Sequence, residues 1–189
     1  MGVVIGMGVR EDTIPSYVHD ELHLGFLAHP RTASHSVADA LLTVGFRARK
    51  APHHVYLRER PAGWQVFSTV RNTYDAIASW YTNRVSGDYE CDALYLERMF
   101  KELTHYFPDP NRFFGLHLDV STDVLRYESL EQGLQKLLNS YGLGPVILPK
   151  SNVNSHRRGR HYHDIITGSG RQWIEARFGP EIAELGYAW

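Results

Sequence analysis

The chain has 189 residues, 43% of them hydrophobic, and a formal net charge of −1. That length suits one domain with a substantial core, and the near-neutral balance argues against a broad nucleic-acid-binding surface while leaving room for a local basic cleft. The single cysteine, Cys91, excludes an intrachain disulfide and a multi-cysteine zinc site, and no apolar run approaches transmembrane length.

In chain order, Val3 to Val9 looks like the opening of a dinucleotide fingerprint, but Glu11 stands where its third glycine belongs, and Asp12 and Pro15 spoil the helix that should follow. The stretch lacks the leading positive charges of a secretory signal, and Gly6 removes the myristoylation pattern. Residues 1–21 therefore read as an N-terminal arm or extra strand ahead of a single domain at 22–189, with a cytoplasmic location expected. Leu22 to Ala28 and Trp64 to Val70 read as buried strands, with shorter ones at Phe113 to Leu118 and Asp123 to Tyr127. Helices are expected at His35 to Val44, Tyr74 to Asn83, Ala93 to His105, Leu130 to Tyr141 and Gly170 to Phe178. Ser86-Gly87-Asp88 and Pro108-Asp109-Pro110 mark loops, and Gly142 to Asn154 is a long irregular connection. Strand alternating with helix predicts an α/β fold, with a mostly parallel central sheet and helices on both faces.

Two strand ends carry the chemistry. After the first strand come His29-Pro30-Arg31-Thr32-Ala33-Ser34-His35-Ser36 and then a helix start. A helix N-terminus presents backbone N–H groups and a positive dipole end; Arg31 adds a full charge, and Thr32, Ser34 and Ser36 add hydroxyl donors. This is chemistry for phosphate or sulfate. The second strand runs into Arg71-Asn72-Thr73-Tyr74-Asp75, with Asn72 or Thr73 as N-cap and Ser79 about two turns along the helix. One reading lays a ligand along that helix against Arg71 and Ser79. The plainer one pairs Arg71 with Asp75 and leaves Ser79 as a small packing residue. Both arginines fall at the carboxyl ends of strands, where open α/β sheets bind ligands.

Together these segments resemble the nucleotide signature of sulfotransferases that use 3′-phosphoadenosine-5′-phosphosulfate (PAPS). Pro30 to Ser36 resembles the family's 5′-phosphosulfate loop, with Arg31 in place of the usual Lys and His35 in place of a hydroxyl residue. Val70 to Ser79 is similar to its 3′-phosphate motif, with Thr73 where Pro is usual. Leu125-Arg126-Tyr127-Glu128-Ser129-Leu130 resembles a further family segment, and Asn152-Val153-Asn154-Ser155 with Arg157-Arg158-Gly159-Arg160 resembles the basic loop that closes over the nucleotide. The pieces occur in the family's order across most of Leu22 to Trp189.

The resemblance implies a P-loop-like sulfotransferase fold and PAPS as co-substrate, bound by Arg31, Thr32, Ala33, Ser34, His35, Ser36, Arg71, Ser79, Arg158 and Gly159, with no metal required. It implies a hydroxyl or amine acceptor on a carbohydrate or small molecule; from charge and hydropathy, neither nucleic acid nor membrane is expected as a partner. Arg31 would stabilise the leaving phosphate. His54 is the first choice of base, because Ala51 to Tyr56 precedes the second strand where related enzymes often carry a histidine facing the acceptor. His53 is its alternate, with His35 and Glu59 behind, although any one of eleven histidines can serve structure instead. His161-Tyr162-His163-Asp164 reads as an exposed loop packing Tyr162 rather than a metal site, and Trp80-Tyr81 and Tyr95 to Phe100 read as core. Two alternatives stay open: a P-loop-like nucleotide or nucleoside kinase, although the Gly-x-x-x-x-Gly-Lys pattern is missing, and a non-catalytic module for a nucleotide or sulfated ligand.

Overall fold

The computed structural model describes residues 10–11, 14–49, 54–85, 90–103, 113–149, 155–157 and 159–189; Val3 to Val9, His53, the two short turn motifs and Arg158 lie outside them. The strands are β1 (Arg10–Glu11), β2 (Tyr17–His19), β3 (Leu24–Leu27), β4 (Arg47–Ala48), β5 (Val55–Tyr56), β6 (Gln65–Val70) and β7 (Asp123–Arg126). The helices are α1 (Ser34–Leu42), α2 (Thr73–Arg84), α3 (Ala93–Leu103), α4 (Leu130–Ser140) and α5 (Gly168–Glu184).

Five strands form one sheet in the order β4-β2-β3-β6-β7, and β1 and β5 form a separate parallel pair. β6 lies parallel to both β3 and β7, but β2 is antiparallel to both β3 and β4. The sheet is therefore mixed, which corrects the mostly parallel expectation. The cause is local: β2 returns into β3 through a tight turn closed by His23 N–H donating to the Asp20 carbonyl at 3.2 Å, and a turn that short joins only antiparallel strands. Within the segment read as an N-terminal arm or extra strand, Tyr17–His19 is a strand of the main sheet. Gly25 of β3 is needed for the neighbouring chain to pass, since a Cβ there would lie 2.4 Å from Pro15 Cγ.

Alternation along β3 and β6 splits the core between two faces. Leu24, Phe26 and Phe67 pack with Leu125 against Val37, Ala40 and Leu41 of α1 and Leu130, Leu134 and Leu138 of α4. Those helical residues recur at the three- and four-residue spacing of an apolar stripe. On the opposite face Leu27 and Val66 meet Leu57 and Val120, while Val70 joins a larger core with α2, α3 and α5. Trp80, Tyr81 and Phe100 are buried there, as their sequence setting suggested.

Two element predictions need correction. Phe113 to Leu118 forms successive turns instead of a strand. Both phases of its alternation are buried, with Phe113, Phe114, Leu116 and His117 all inside, and Gly115 N–H bonds the Glu181 carboxylate rather than a neighbouring strand. Helix α5 continues past Phe178 and through Pro180. Proline forfeits one helical hydrogen bond, but the extra turn buries Ile182 and Leu185 against α2 and α3. Among the described residues, no helix is long and apolar enough to cross a membrane.

Candidate functional site

Parallel pairing of β3 with β6 sets Leu27 beside Ser68, so the segments leaving these strands at Ala28 and Arg71 emerge at the same end of the sheet, at the carboxyl ends of its two parallel inner strands. After β3 the chain turns sharply, with Arg31 at φ 65° and Ala33 at φ 61°. Side chains rarely adopt this left-handed region, and two such residues around Thr32 are the kind of local strain that clusters at ligand sites. Thr32 holds the turn in place. Its Oγ1 donates to the His29 carbonyl at 2.8 Å and shares a 2.5 Å hydrogen bond with Thr69 Oγ1 of β6. The Thr32 proton goes to the carbonyl, so Thr69 is the donor in the second bond. Helix α1 then begins at Ser34 with no side-chain cap from Ala33 and no acid in its first turn.

Arg31 reaches across to α2, where its Nη2 donates to the Ser79 carbonyl at 2.8 Å and to Ser79 Oγ at 3.0 Å. Arg71 completes the corner: Nη1 donates to the Arg31 carbonyl at 3.0 Å, and Nε to Asp75 Oδ2 at 2.6 Å. Its guanidinium carbon lies 3.9 Å over the Tyr127 ring. Arg157, at the end of the short 3-10 turn Ser155–Arg157, pairs with the other Asp75 oxygen. Two guanidinium groups therefore meet on one aspartate, while that of Arg31 lies on Ser79. Burial opposes ionisation of Asp75, but Arg71 and Arg157 outweigh it and hold the carboxyl below its ordinary value. Burial, then repulsion from Arg71, lowers Arg31 to about 10, so it stays charged at neutral pH. Glu128 is the other carboxylate of this corner; it accepts the Asn72 N–H at 2.9 Å and the Tyr187 hydroxyl at 2.8 Å.

His54 stands at the root of the loop, its Nδ1 2.7 Å from the Ala28 carbonyl. A carbonyl only accepts, so Nδ1 carries the hydrogen and Nε2 keeps its lone pair. Burial lowers this imidazole to about 4, and the Ala28 hydrogen bond only partly offsets it. The His35 ring, on the first turn of α1, is 6.4 Å away.

Arg31, Thr32, Arg71 and Ser79 thus share one corner, with Ala33, Ser34, His35 and Ser36 opening the adjoining helix and His54 behind. Arg71 pairs with Asp75, as the plainer reading of the second motif has it, and Ser79 hydrogen-bonds Arg31 besides packing. Asn72 caps α2 itself, Oδ1 accepting from Tyr74 N–H at 3.0 Å, which leaves α1 as the better-placed helix start for an anion. Gly159 is exposed, at φ 73°. His161 to Asp164 is a short turn in which Tyr162 stacks on Tyr74 at 5.9 Å, and no metal-ligand group of three appears among the described residues.

Sequence reasoning missed the roles of Arg157, Tyr127, His29 and His117. Arg157, Tyr127 and His29 stood inside motifs already singled out, whereas His117 carried no pattern to mark it. No family model, curated protein or solved structure matches this chain.

Proposed function

We propose that the protein is a sulfotransferase with a P-loop-like nucleotide fold, moving the sulfuryl group from PAPS to a hydroxyl or amine of a carbohydrate or small molecule. The observation that carries this reading is the convergence of Arg31, Thr32, Arg71 and Ser79 beyond the carboxyl ends of β3 and β6 from segments 40 and 48 residues apart. Guanidinium forks and hydroxyls are the donor types that suit phosphate and sulfate oxygens.

In this assignment the loop from Thr32 to Ser36 and Arg31 hold the 5′-phosphosulfate, while Arg71 and Ser79 take the 3′-phosphate and Arg158 and Gly159 close over it. His54 Nε2 accepts the acceptor proton as the acceptor oxygen or nitrogen bonds to sulfur. The bond from sulfur to the phosphate oxygen breaks, and Arg31 stabilises the charge left on that phosphate. Adenosine 3′,5′-bisphosphate and the sulfated acceptor are the products. Positioning and electrostatics supply most of the catalysis, as they do in phosphoryl transfer.

Calorimetric titration with adenosine 3′,5′-bisphosphate, ADP and AMP tests the donor site. The bisphosphate should bind best, and Arg71→Ala should weaken it about ten- to a hundredfold, the worth of one charge-assisted phosphate contact. Equal or absent binding of all three would remove the reading. Tight bisphosphate binding with no transfer to any acceptor would leave a nucleotide-binding module instead.

A further inference from the structure

We infer that the buried pair His29 and His117 is an acid-sensitive latch whose protonation releases the Pro30–Ser36 loop from the sheet while the core stays folded.

His29 is the residue between β3 and Pro30. It is 1% exposed, and neither ring nitrogen has a hydrogen-bond partner. Its ring meets that of His117 edge to face at 5.5 Å and that of Phe113 at 5.7 Å. His117 is 4% exposed, and its Nδ1 also has no partner. The same His29 anchors the loop, because its carbonyl accepts the Thr32 hydroxyl. Loop and latch therefore share one residue.

The groups acting on this pair are all bases. His117 and His54 act on His29, His54 acts on His117, and His35 in turn acts on His54. Around them are Phe113 and, packed on it at 5.0 Å, Trp80. Arg31, two residues beyond His29, adds a cation whose side chain is turned toward Ser79. A proton on either ring would meet burial and a neighbouring imidazole, with no acceptor at either nitrogen of His29 or at Nδ1 of His117, so the closed state holds both rings neutral. Burial first, with the neighbouring imidazoles second, pushes His117 down to about 3 and His29 well below its ordinary value.

Release exposes the rings and returns them to an ordinary imidazole pKa of about 6.5. Each pH unit below that then favours the released form about tenfold for one proton and about a hundredfold for two. Release withdraws Arg31 and Thr32 from Ser79 and Thr69. That this would also discharge a nucleotide rests on the proposed donor site; the release itself does not.

Hydrogen exchange on the full chain from pH 7.5 to 5.0, corrected for intrinsic rates, tests the latch without any ligand. Protection across residues 28–36 should fall about tenfold or more per pH unit below 6.5 while residues 65–70 of β6 stay protected. In the double variant His29→Leu/His117→Phe, loop protection should no longer depend on pH. A loop whose protection ignores pH, one that opens only together with β6, or a double variant that still responds like the wild type would overturn the proposal. If the double variant does not fold, His117→Phe alone and the wild-type comparison of loop with β6 decide it. A parallel titration with adenosine 3′,5′-bisphosphate at pH 7.5 separates the two ideas, since failure to bind there removes the donor reading and leaves the exchange result standing.

Discussion

Arg31 and Ser79, 48 positions apart, are joined twice: one guanidinium nitrogen donates to both the backbone and the hydroxyl oxygen of the serine. This contact ties the loop after β3 to the second turn of α2. At the proposed donor site it would also consume donors that the anion needs, so ligand binding and this contact would compete for one side chain.

That competition makes binding and folding separable at Arg31. Arg31→Gly removes the cation and its two hydrogen bonds but also relieves a left-handed backbone at φ 65° and the repulsion from Arg71. Bisphosphate affinity should drop about tenfold or more, whereas stability in urea should change by only about 1 kcal/mol. A loss of stability several times larger, with affinity unchanged, would make Arg31 structural.

Asp75 receives Arg71 and Arg157 on its two oxygens. Asp75→Ala would leave those partly buried guanidiniums without their carboxylate, and a destabilisation of about 2–4 kcal/mol is expected. Because its folded pKa is lowered, the stabilisation from Asp75 is complete above the unfolded value of 3.8 and is lost as pH falls through the lower folded value. Urea unfolding of wild type and Asp75→Ala at pH 7 and pH 3 should therefore show a difference that narrows at the lower pH. A gap that stays constant would assign the effect to packing.

His54 should be neutral throughout the ordinary assay range. An imidazole of ordinary pKa 6.5 would be half protonated at pH 6.5, but with its value near 4 the rate at pH 6.5 should match that at pH 8. His54→Asn can keep a side-chain donor for the Ala28 carbonyl while removing Nε2, so kcat should fall about a hundredfold or more with KM little changed. A variant that shifts only KM would remove the histidine from proton transfer.

Gly170 offers a test of packing alone. Alanine normally stabilises a helix interior over glycine by about 1 kcal/mol, yet a Cβ here would sit 2.2 Å from the Cys91 carbonyl oxygen. The sign should reverse, with Gly170→Ala costing about 1–3 kcal/mol in urea unfolding. A stabilised variant would mean that the bridge between Cys91 and Ile166 yields easily.

Local chemistry was legible in the residue order. The apolar runs ending at Ala28 and Val70, the stripes of α1 and α4, and the Asn72 cap all act within a few residues of themselves, so their patterns appear in any window that contains them. The motifs around Arg31 and Arg71 were visible for the same reason. Tertiary structure alone decided the rest. β2 and β4 are three and two residues long, too short to show a period, and their antiparallel pairing depends on how the chain turns around them. Phe113 to Leu118 has a strand-like composition but fills the space under α5, where burial on every side suits turns tied to Glu181. The contacts of Arg31 with Ser79, Arg157 with Asp75 and His29 with His117 span 48, 82 and 88 positions. Such pairs arise from rotamers and burial once the sheet has brought distant segments together, and no spacing in the sequence encodes them.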